Sequence, residues 1–275
     1  MRIRIIPVLD LKAGVAVHAV GGHREAYAPV RSVLAESADP VTLARAFMTQ
    51  LGCRECYVAD LDAIAGRGDH GPTIRAIVRL GLTVWLDSGI SRVSEAERAL
   101  GHGVARVIIG TETLRDLRDL PAIVAAVRGA ETSAGCLLSL DLHDGRLLGG
   151  SPAMEQLDPV NLALVAWNAG IQTFIVLDLA RVGTGEPAGP GVETRAALRL
   201  REALPRAEII VGGGVRDAND LRELAGRGFD GALVATALHT GAITSAAVEV
   251  GNSPSRLEPE PPRHHPRPGP LTPTP

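Results

Sequence analysis

The chain has 275 residues and a formal net charge of −3, and 45% of its residues are hydrophobic. This charge balance lacks the basic excess of a nucleic-acid-binding protein, and no apolar run reaches the roughly 18 residues that a membrane helix needs. We therefore expect neither a nucleic-acid nor a membrane partner. The N-terminus enters an apolar run at once, and Cys53 and Cys56 have no second ligand pair. These features predict a cytoplasmic protein with buried structural thiols.

Short apolar runs alternate with longer segments of helical period, which predicts repeated β-α units and a parallel sheet. The runs are rich in Val, Leu and Ile, as in strands that are covered on both faces. Eight segments are predicted as strands: Arg4–Asp10, Glu55–Leu61, Leu82–Asp87, Ala105–Gly110, Gly135–Leu142, Thr173–Leu179, Ala207–Gly212 and Asp230–Ala235.

Helices are predicted between these strands, with polar residues at several of their starts. Ser94 is the expected N-cap of one helix, with Glu97 completing a capping box, and Asp217 is the expected cap of another. The predicted helices include Pro40–Gln50, Gly71–Leu80, Ser94–His102, Asp158–Ala169, Glu193–Ala203 and Ala218–Arg227.

The second half of the chain repeats the first. Asp-Leu-x-x-Gly occurs at Asp10 and again at Asp141, and two further blocks recur in the same order. A duplicated set of four β-α units predicts one (β/α)₈ barrel over residues 1–250, made of half-barrels at about 1–125 and 126–250. An open doubly wound sheet is the alternative, although it gives no reason for the repeat. The proline-rich residues 251–275 predict a disordered tail.

Two aspartates occupy equivalent strand ends, where a barrel of this kind carries its reactive groups. Asp10 ends the first predicted strand and Asp141 ends the fifth. Strands one and five face each other across a barrel, so the two carboxylates are candidates for general acid–base catalysis in one cavity. The alternative is that each aspartate only caps the turn that follows it.

Glycine-rich loops predict phosphate sites, because glycine lets backbone N–H groups approach a ligand. The stronger candidate follows strand seven and includes Gly212, Gly213 and Gly214, with Thr236 after strand eight. A tight turn is the alternative. The mirror site in the first half consists of Gly89, Gly110 and Thr111, and here Asp87 stands where a third glycine would.

Several further polar residues lie near predicted strand ends. Asp60 and Asp178 are possible catalytic helpers or structural groups, Lys12 follows the first aspartate, and Thr184 is a possible substrate ligand. His23 and Arg24 lie in the long loop after strand one and could form a lid. For each of these residues, a solvated or structural role is the alternative.

Taken in order, six motifs resemble the histidine-biosynthesis barrels: IPVLDLKAG, ADPVTLARAF, YVADLDAIAG, GVARVIIGTETL, SLDLHDG and IIVGGGVRDANDL. Those barrels are the isomerase of phosphoribosyl-formimino aminoimidazole carboxamide ribotide and the cyclase subunit of imidazole-glycerol-phosphate synthase. The resemblance implies that Asp10 and Asp141 are an acid–base pair for an Amadori rearrangement. It implies two phosphate cradles, and no metal or organic cofactor.

The chain departs from the isomerase pattern at Asp87, at Val182, at Ala235 and in the segment Leu148–Gln156, which lacks a Gly-Trp pair. The run Leu9–Leu34, together with VADLDAIAGRG, more closely resembles a related branch linked to methanopterin- and methanofuran-dependent one-carbon metabolism. Three functions therefore stay open: an aldose–ketose isomerase, a lyase, cyclase or condensing enzyme of that coenzyme metabolism, and a non-catalytic barrel scaffold. The expected partner is a phosphorylated small molecule, and the expected assembly is a monomer or small homo-oligomer.

Overall fold

The fold is a closed barrel of eight parallel strands. The computed structural model describes residues 3–130, 134–184 and 192–252. Strand β8 pairs with β1, with Arg4 opposite Gly231 and Pro7 opposite Val234, so the sheet has no open edge. This closure confirms the predicted barrel and rules out the open sheet. The strands are β1 (Arg4–Lys12), β2 (Glu55–Asp60), β3 (Thr83–Asp87), β4 (Arg106–Gly110), β5 (Gly135–His143), β6 (Thr173–Asp178), β7 (Glu208–Gly212) and β8 (Gly231–Val234).

A helix follows each barrel strand, as a right-handed β-α-β connection requires. The eight helices are α1 (Pro40–Thr49), α2 (Gly71–Arg79), α3 (Val93–Leu100), α4 (Leu120–Gly129), α5 (Pro159–Asn168), α6 (Val192–Ala203), α7 (Ala218–Gly226) and α8 (Ser245–Asn252). Short extra strands lie at Val15–His18, Ala28–Pro29 and Arg146–Leu147, and short helices at Leu61–Ile64, Pro152–Glu155 and Thr236–His239. Among the described residues, no helix is both long and apolar enough to span a membrane.

The ends of the helices follow local side-chain chemistry, with one correction to the predicted caps. Asp217 accepts hydrogen bonds from two backbone N–H groups at the start of α7, as predicted. Ser94 is not a cap, because α3 begins one residue earlier, at Val93. The reciprocal acceptor is Glu95, whose carboxylate binds the N–H groups of Ser91 and Arg92, so Glu97 has no capping-box role.

The barrel interior receives side chains from every strand. The residues that fill it are Ile6, Tyr57, Trp85, Ile108, Leu137, Ile175, Ile210 and Leu233. A second, larger apolar layer lies between the sheet and the helices and contains Cys53 and Cys56. Burial raises the pKa of both thiols, to about 12 for Cys53, so both are apolar core groups, as predicted.

Candidate active site

A cavity of about 250 Å³ opens among the C-terminal ends of the barrel strands. This is the end at which barrel enzymes carry their chemistry. Asp10 and Asp141 both line it, so the structure brings together the two aspartates that the repeat singles out. Asp87 and the loop residues Arg24 and Glu112 line the same cavity. Of the six charged residues that line it, four are acidic.

Asp141 is held firmly in place. Its side chain is only 3% exposed. The Ser139 hydroxyl donates to Asp141 Oδ1 at 2.6 Å, and the Glu112 N–H donates to Oδ2 at 3.3 Å. Burial, followed by the charges of Glu112 and Asp87, raises the pKa of Asp141 well above its ordinary value. This environment therefore favours the protonated form of Asp141.

Asp10 has a different environment, although it shares the cavity. Burial raises its pKa to about 7, while Arg24 acts in the opposite direction and Asp87 adds to the increase. Among the described residues, none donates a hydrogen bond to the Asp10 carboxylate. This group is therefore partly ionised near neutral pH and free to accept a proton.

Asp87 is a third carboxylate in the cavity that the sequence did not predict as a functional group. It is buried at the end of β3, where its Oδ2 accepts a hydrogen bond from the Tyr57 hydroxyl at 3.1 Å. Its Oδ1 accepts the N–H of Gly89 at 3.2 Å. Burial and the charge of Glu112 raise its pKa to about 6, so it is mostly ionised at pH 7. The sequence did contain an indication of its importance, because Asp87 stands where a third glycine of the first-half cradle would.

The loop after β1 reaches over the cavity through Arg24. Arg24 Nη2 donates to Glu112 Oε1 at 2.6 Å, and Glu112 follows β4. Lys12 does not line the cavity; its Nζ donates to the Arg24 carbonyl at 2.5 Å and so supports the loop. His23 also lies outside the lining, just before the short turn Arg24–Ala26. Of the two predicted lid residues, only Arg24 faces the cavity.

The predicted first-half cradle does not open onto the cavity, since Gly89, Gly110 and Thr111 are all absent from its lining. The Thr111 hydroxyl accepts the backbone N–H of Asp141 at 2.9 Å. A Cβ at Gly110 would lie 2.9 Å from Asp141 Oδ2, so the glycine makes room for that carboxylate. These three residues support the carboxylates instead of facing a ligand.

The second-half cradle does open onto the cavity, which Gly213, Gly214 and Thr236 all line. Gly213 and Gly214 have φ of +96° and +82°, a conformation that favours glycine. Neither N–H donates a hydrogen bond to another described residue. Gly212 lies instead within β7, packed against neighbouring leucines. Arg216, which the sequence analysis did not identify, also lines this end and is paired with Asp220.

Two positions where the chain departs from the isomerase pattern, Val182 and Ala235, also line the cavity. Thr184 does not, and its hydroxyl donates to the Arg181 carbonyl at 3.1 Å. Residues 185–191 of this loop and 253–275 of the predicted tail lie outside the described residues.

Asp60 and Asp178 lie outside the cavity lining and bind backbone groups. Asp60 caps the helix Leu61–Ile64 and accepts from His70 Nδ1 at 2.8 Å. Asp178 accepts the N–H groups of Asp144 and Gly145, at 3.1 and 3.0 Å, in the turn after β5. Both aspartates therefore stabilise turns that follow barrel strands.

The fold and the cavity define a (β/α)₈-barrel protein with an acidic pocket and one glycine-lined end. A family model described as histidine biosynthesis protein matches residues 4–244. The chain belongs to this family. It is similar to an isomerase of Deinococcus radiodurans, with 34% identity over 87% of this chain and 95% of the relative. That relative is named 1-(5-phosphoribosyl)-5-((5-phosphoribosylamino)methylideneamino) imidazole-4-carboxamide isomerase.

Two further relatives show how widely the similarity extends. An isomerase of the same name from Thermus thermophilus is 30% identical over 87% of this chain and 96% of its own length. An uncharacterized protein of Methanocaldococcus jannaschii is 32% identical over 87% of this chain and 95% of its own length. The similarity thus spans the whole barrel in both cases.

Proposed function

We propose that this protein is an acid–base isomerase that converts a phosphorylated aldose, of sugar or ribonucleotide type, into a ketose by an Amadori rearrangement. One observation carries the proposal: Asp10 and Asp141 face a single cavity whose other end exposes backbone N–H groups. The names of the bacterial relatives support the reaction class.

The surroundings of the two aspartates support a division of their roles. Arg24 favours the ionised form of Asp10, which makes Asp10 the base. Glu112 and Asp87 favour the protonated form of Asp141, which makes Asp141 the acid. Asp141 would donate a proton to the ring oxygen as the bond between C1 and that oxygen breaks, leaving an open-chain iminium ion. Asp10 would then remove the proton from C2 to give a neutral enolamine. The enolamine would take back a proton at C1 from Asp10 while its C2 hydroxyl returns a proton to Asp141, which gives the ketose and restores both carboxyl groups.

Turnover assays test this proposal directly. Purified protein would be incubated with the relatives' ribotide and with a ribosylamine 5-phosphate that carries an uncharged N-aryl group, and ketose formation followed by absorbance. We expect turnover of at least one compound, and a loss of about 10²–10⁴-fold in kcat for Asp10→Asn and Asp141→Asn. Asp119→Asn, which removes an exposed carboxylate outside the cavity, is the matched control. Absence of turnover by folded protein with both compounds would refute the isomerase.

A second candidate is a lyase, cyclase or condensing enzyme of methanopterin or methanofuran coenzyme metabolism that uses the same two aspartates. The altered first-half cradle favours it, because Asp87 occupies the place where the isomerase pattern has glycine. Mass spectrometry of the product separates the two functions. An isomerase leaves the substrate mass unchanged, whereas a lyase or condensing enzyme changes it. A cyclase that keeps the mass is distinguished by the absence of a ketone in its product. A non-catalytic scaffold would show no product at all.

A further inference from the structure

The two ends of the cavity differ in charge and in the availability of donors. At the second-half end, Gly213 and Gly214 present N–H groups that no described residue uses, with Arg216 beside them. Such N–H donors suit the oxygens of a phosphate. Arg216 is itself paired with Asp220, so the backbone donors are the main evidence for this site. At the first-half end, the groups that face the cavity are Asp87, Glu112 and Arg24.

At the first-half end, the Asp87 carboxylate binds a backbone N–H group of the predicted phosphate cradle. Its Oδ1 takes the N–H of Gly89, so this donor is no longer available to an incoming anion. Gly89 itself has φ of +73°, and a Cβ there would lie 2.8 Å from the Ile64 Cα, so this loop geometry requires glycine. The N–H group of Gly89 in this turn is therefore already bound by the Asp87 side chain and is not free for an anionic ligand.

The cation at this end offsets the negative charge only in part. Arg24 is paired with Glu112 at 2.6 Å. Its charge also acts on Asp87 and Asp10, but Asp87 has no ion-pair partner of its own among the described residues. A second phosphate in this position would meet carboxylates at short range in a buried site, where repulsion between like charges is strong.

We propose that Asp87 determines substrate specificity by acting as a built-in substitute for a phosphate, so that the substrate carries one phosphate, bound at Gly213 and Gly214, and no anionic group at its other end. This inference rests on the proposed function only in taking the cavity as the substrate site. It restricts the substrate class to monophosphates and sets this chain apart from an enzyme built for a bisphosphate.

A matched pair of probes tests the proposal by binding alone. Calorimetric titration at pH 7.5 would use ribulose 5-phosphate and ribulose 1,5-bisphosphate, which differ by one phosphate. We expect the wild-type protein to bind the bisphosphate no more tightly than the monophosphate. In Asp87→Gly, the bisphosphate should bind about tenfold or more tightly than in wild type, because a donor is released and a charge removed. Affinity for the monophosphate should change by less than about threefold.

Two further variants complete the design. Asp87→Asn removes the charge while keeping the size of the side chain and its contact with Tyr57; it should shift the preference in the same direction if Asp87→Gly does not fold. Arg216→Gln should weaken both probes by a similar factor, because it alters only the shared phosphate end.

Three results would overturn the proposal: tighter binding of the bisphosphate by wild type, an unchanged preference in both Asp87 variants, or no binding of either probe. Because none of these results depends on turnover, failure of the isomerase assay and failure of this inference are distinguishable.

Discussion

Arg24 donates to Glu112 across the mouth of the cavity at 2.6 Å, and this ion pair connects the loop after β1 with the loop after β4. The two partners act on different carboxylates. Arg24 lowers the pKa of Asp10, whereas Glu112 raises the pKa of Asp141. The pair therefore favours the ionised form of Asp10 and the protonated form of Asp141, which supports their proposed roles as base and acid.

The pH profile of kcat/KM should reveal this division. The acidic limb should have a midpoint near 7, because activity falls as Asp10, with a pKa of about 7, takes up a proton. In Arg24→Gln the midpoint should move upward by roughly one unit, since a nearby positive charge has been lost. Arg45→Gln, which changes an exposed arginine of α1 outside the cavity lining, is the control and should keep the wild-type midpoint. A lower rate with an unmoved midpoint in Arg24→Gln would limit Arg24 to a structural role.

Asp10 should reduce stability at high pH. Its pKa is about 7 in the folded protein against an ordinary value of 3.8, so the folded state holds this proton more tightly than the unfolded state does. Ionisation of Asp10 therefore lowers the free energy of unfolding. This loss is absent below pH 4, grows as the pH rises to 7, and reaches its full value above pH 7. Asp10→Asn should therefore raise the free energy of unfolding by about 1–3 kcal/mol at pH 8 and little at pH 4. Urea unfolding at both pH values measures this, and an equal change at both would contradict it.

Asp178 should be structural and not a catalytic helper. Asp178→Ala would leave the N–H groups of Asp144 and Gly145 without their acceptor, together with that of Ala180. Each unpaired group is costly, so we expect a loss of about 2–4 kcal/mol in unfolding free energy. Urea titration provides this value, with Asp178→Asn as the milder variant because it keeps one acceptor oxygen. The acidic limb of the pH profile should stay in place, and a shift of that limb would instead indicate a part in proton transfer.

Trp85 should be a major contributor to stability. It is fully buried inside the barrel, and the guanidinium carbons of Arg4 and Arg106 lie 5.2 and 5.0 Å from its ring centre. Trp85→Ala should lower the unfolding free energy by about 3–5 kcal/mol. Trp85→Phe keeps a ring between the two cations and should lose about 1–2 kcal/mol. Similar losses in both variants would show that the ring itself contributes little.

Much of the fold was predictable from the sequence, because the signals are local. All eight predicted strands occur, and each observed end lies within two residues of the predicted end. The strands are apolar runs, and most of these runs end at a Gly or an Asp or at the residue next to one. The repeat gave the number of units, and hence the closed barrel. Helices α4 and α8 occur at positions for which the sequence analysis gave no bounds. The cap at Ser94 was wrong because the helix begins one residue earlier, at Val93, and Ser91 with Glu95, four residues apart, provides the observed interaction.

The sequence by itself determined the barrel, its strand ends and the placement of Asp10 and Asp141 in one cavity, because strand order and side-chain alternation fix which groups reach the C-terminal face. It did not determine what surrounds those groups. That Asp87 takes the N–H of Gly89, that Arg24 pairs with Glu112, and that Thr111 supports Asp141 were decided only by loops from different β-α units meeting in space. The pKa values of the carboxylates follow from those contacts and from burial, neither of which a linear pattern records.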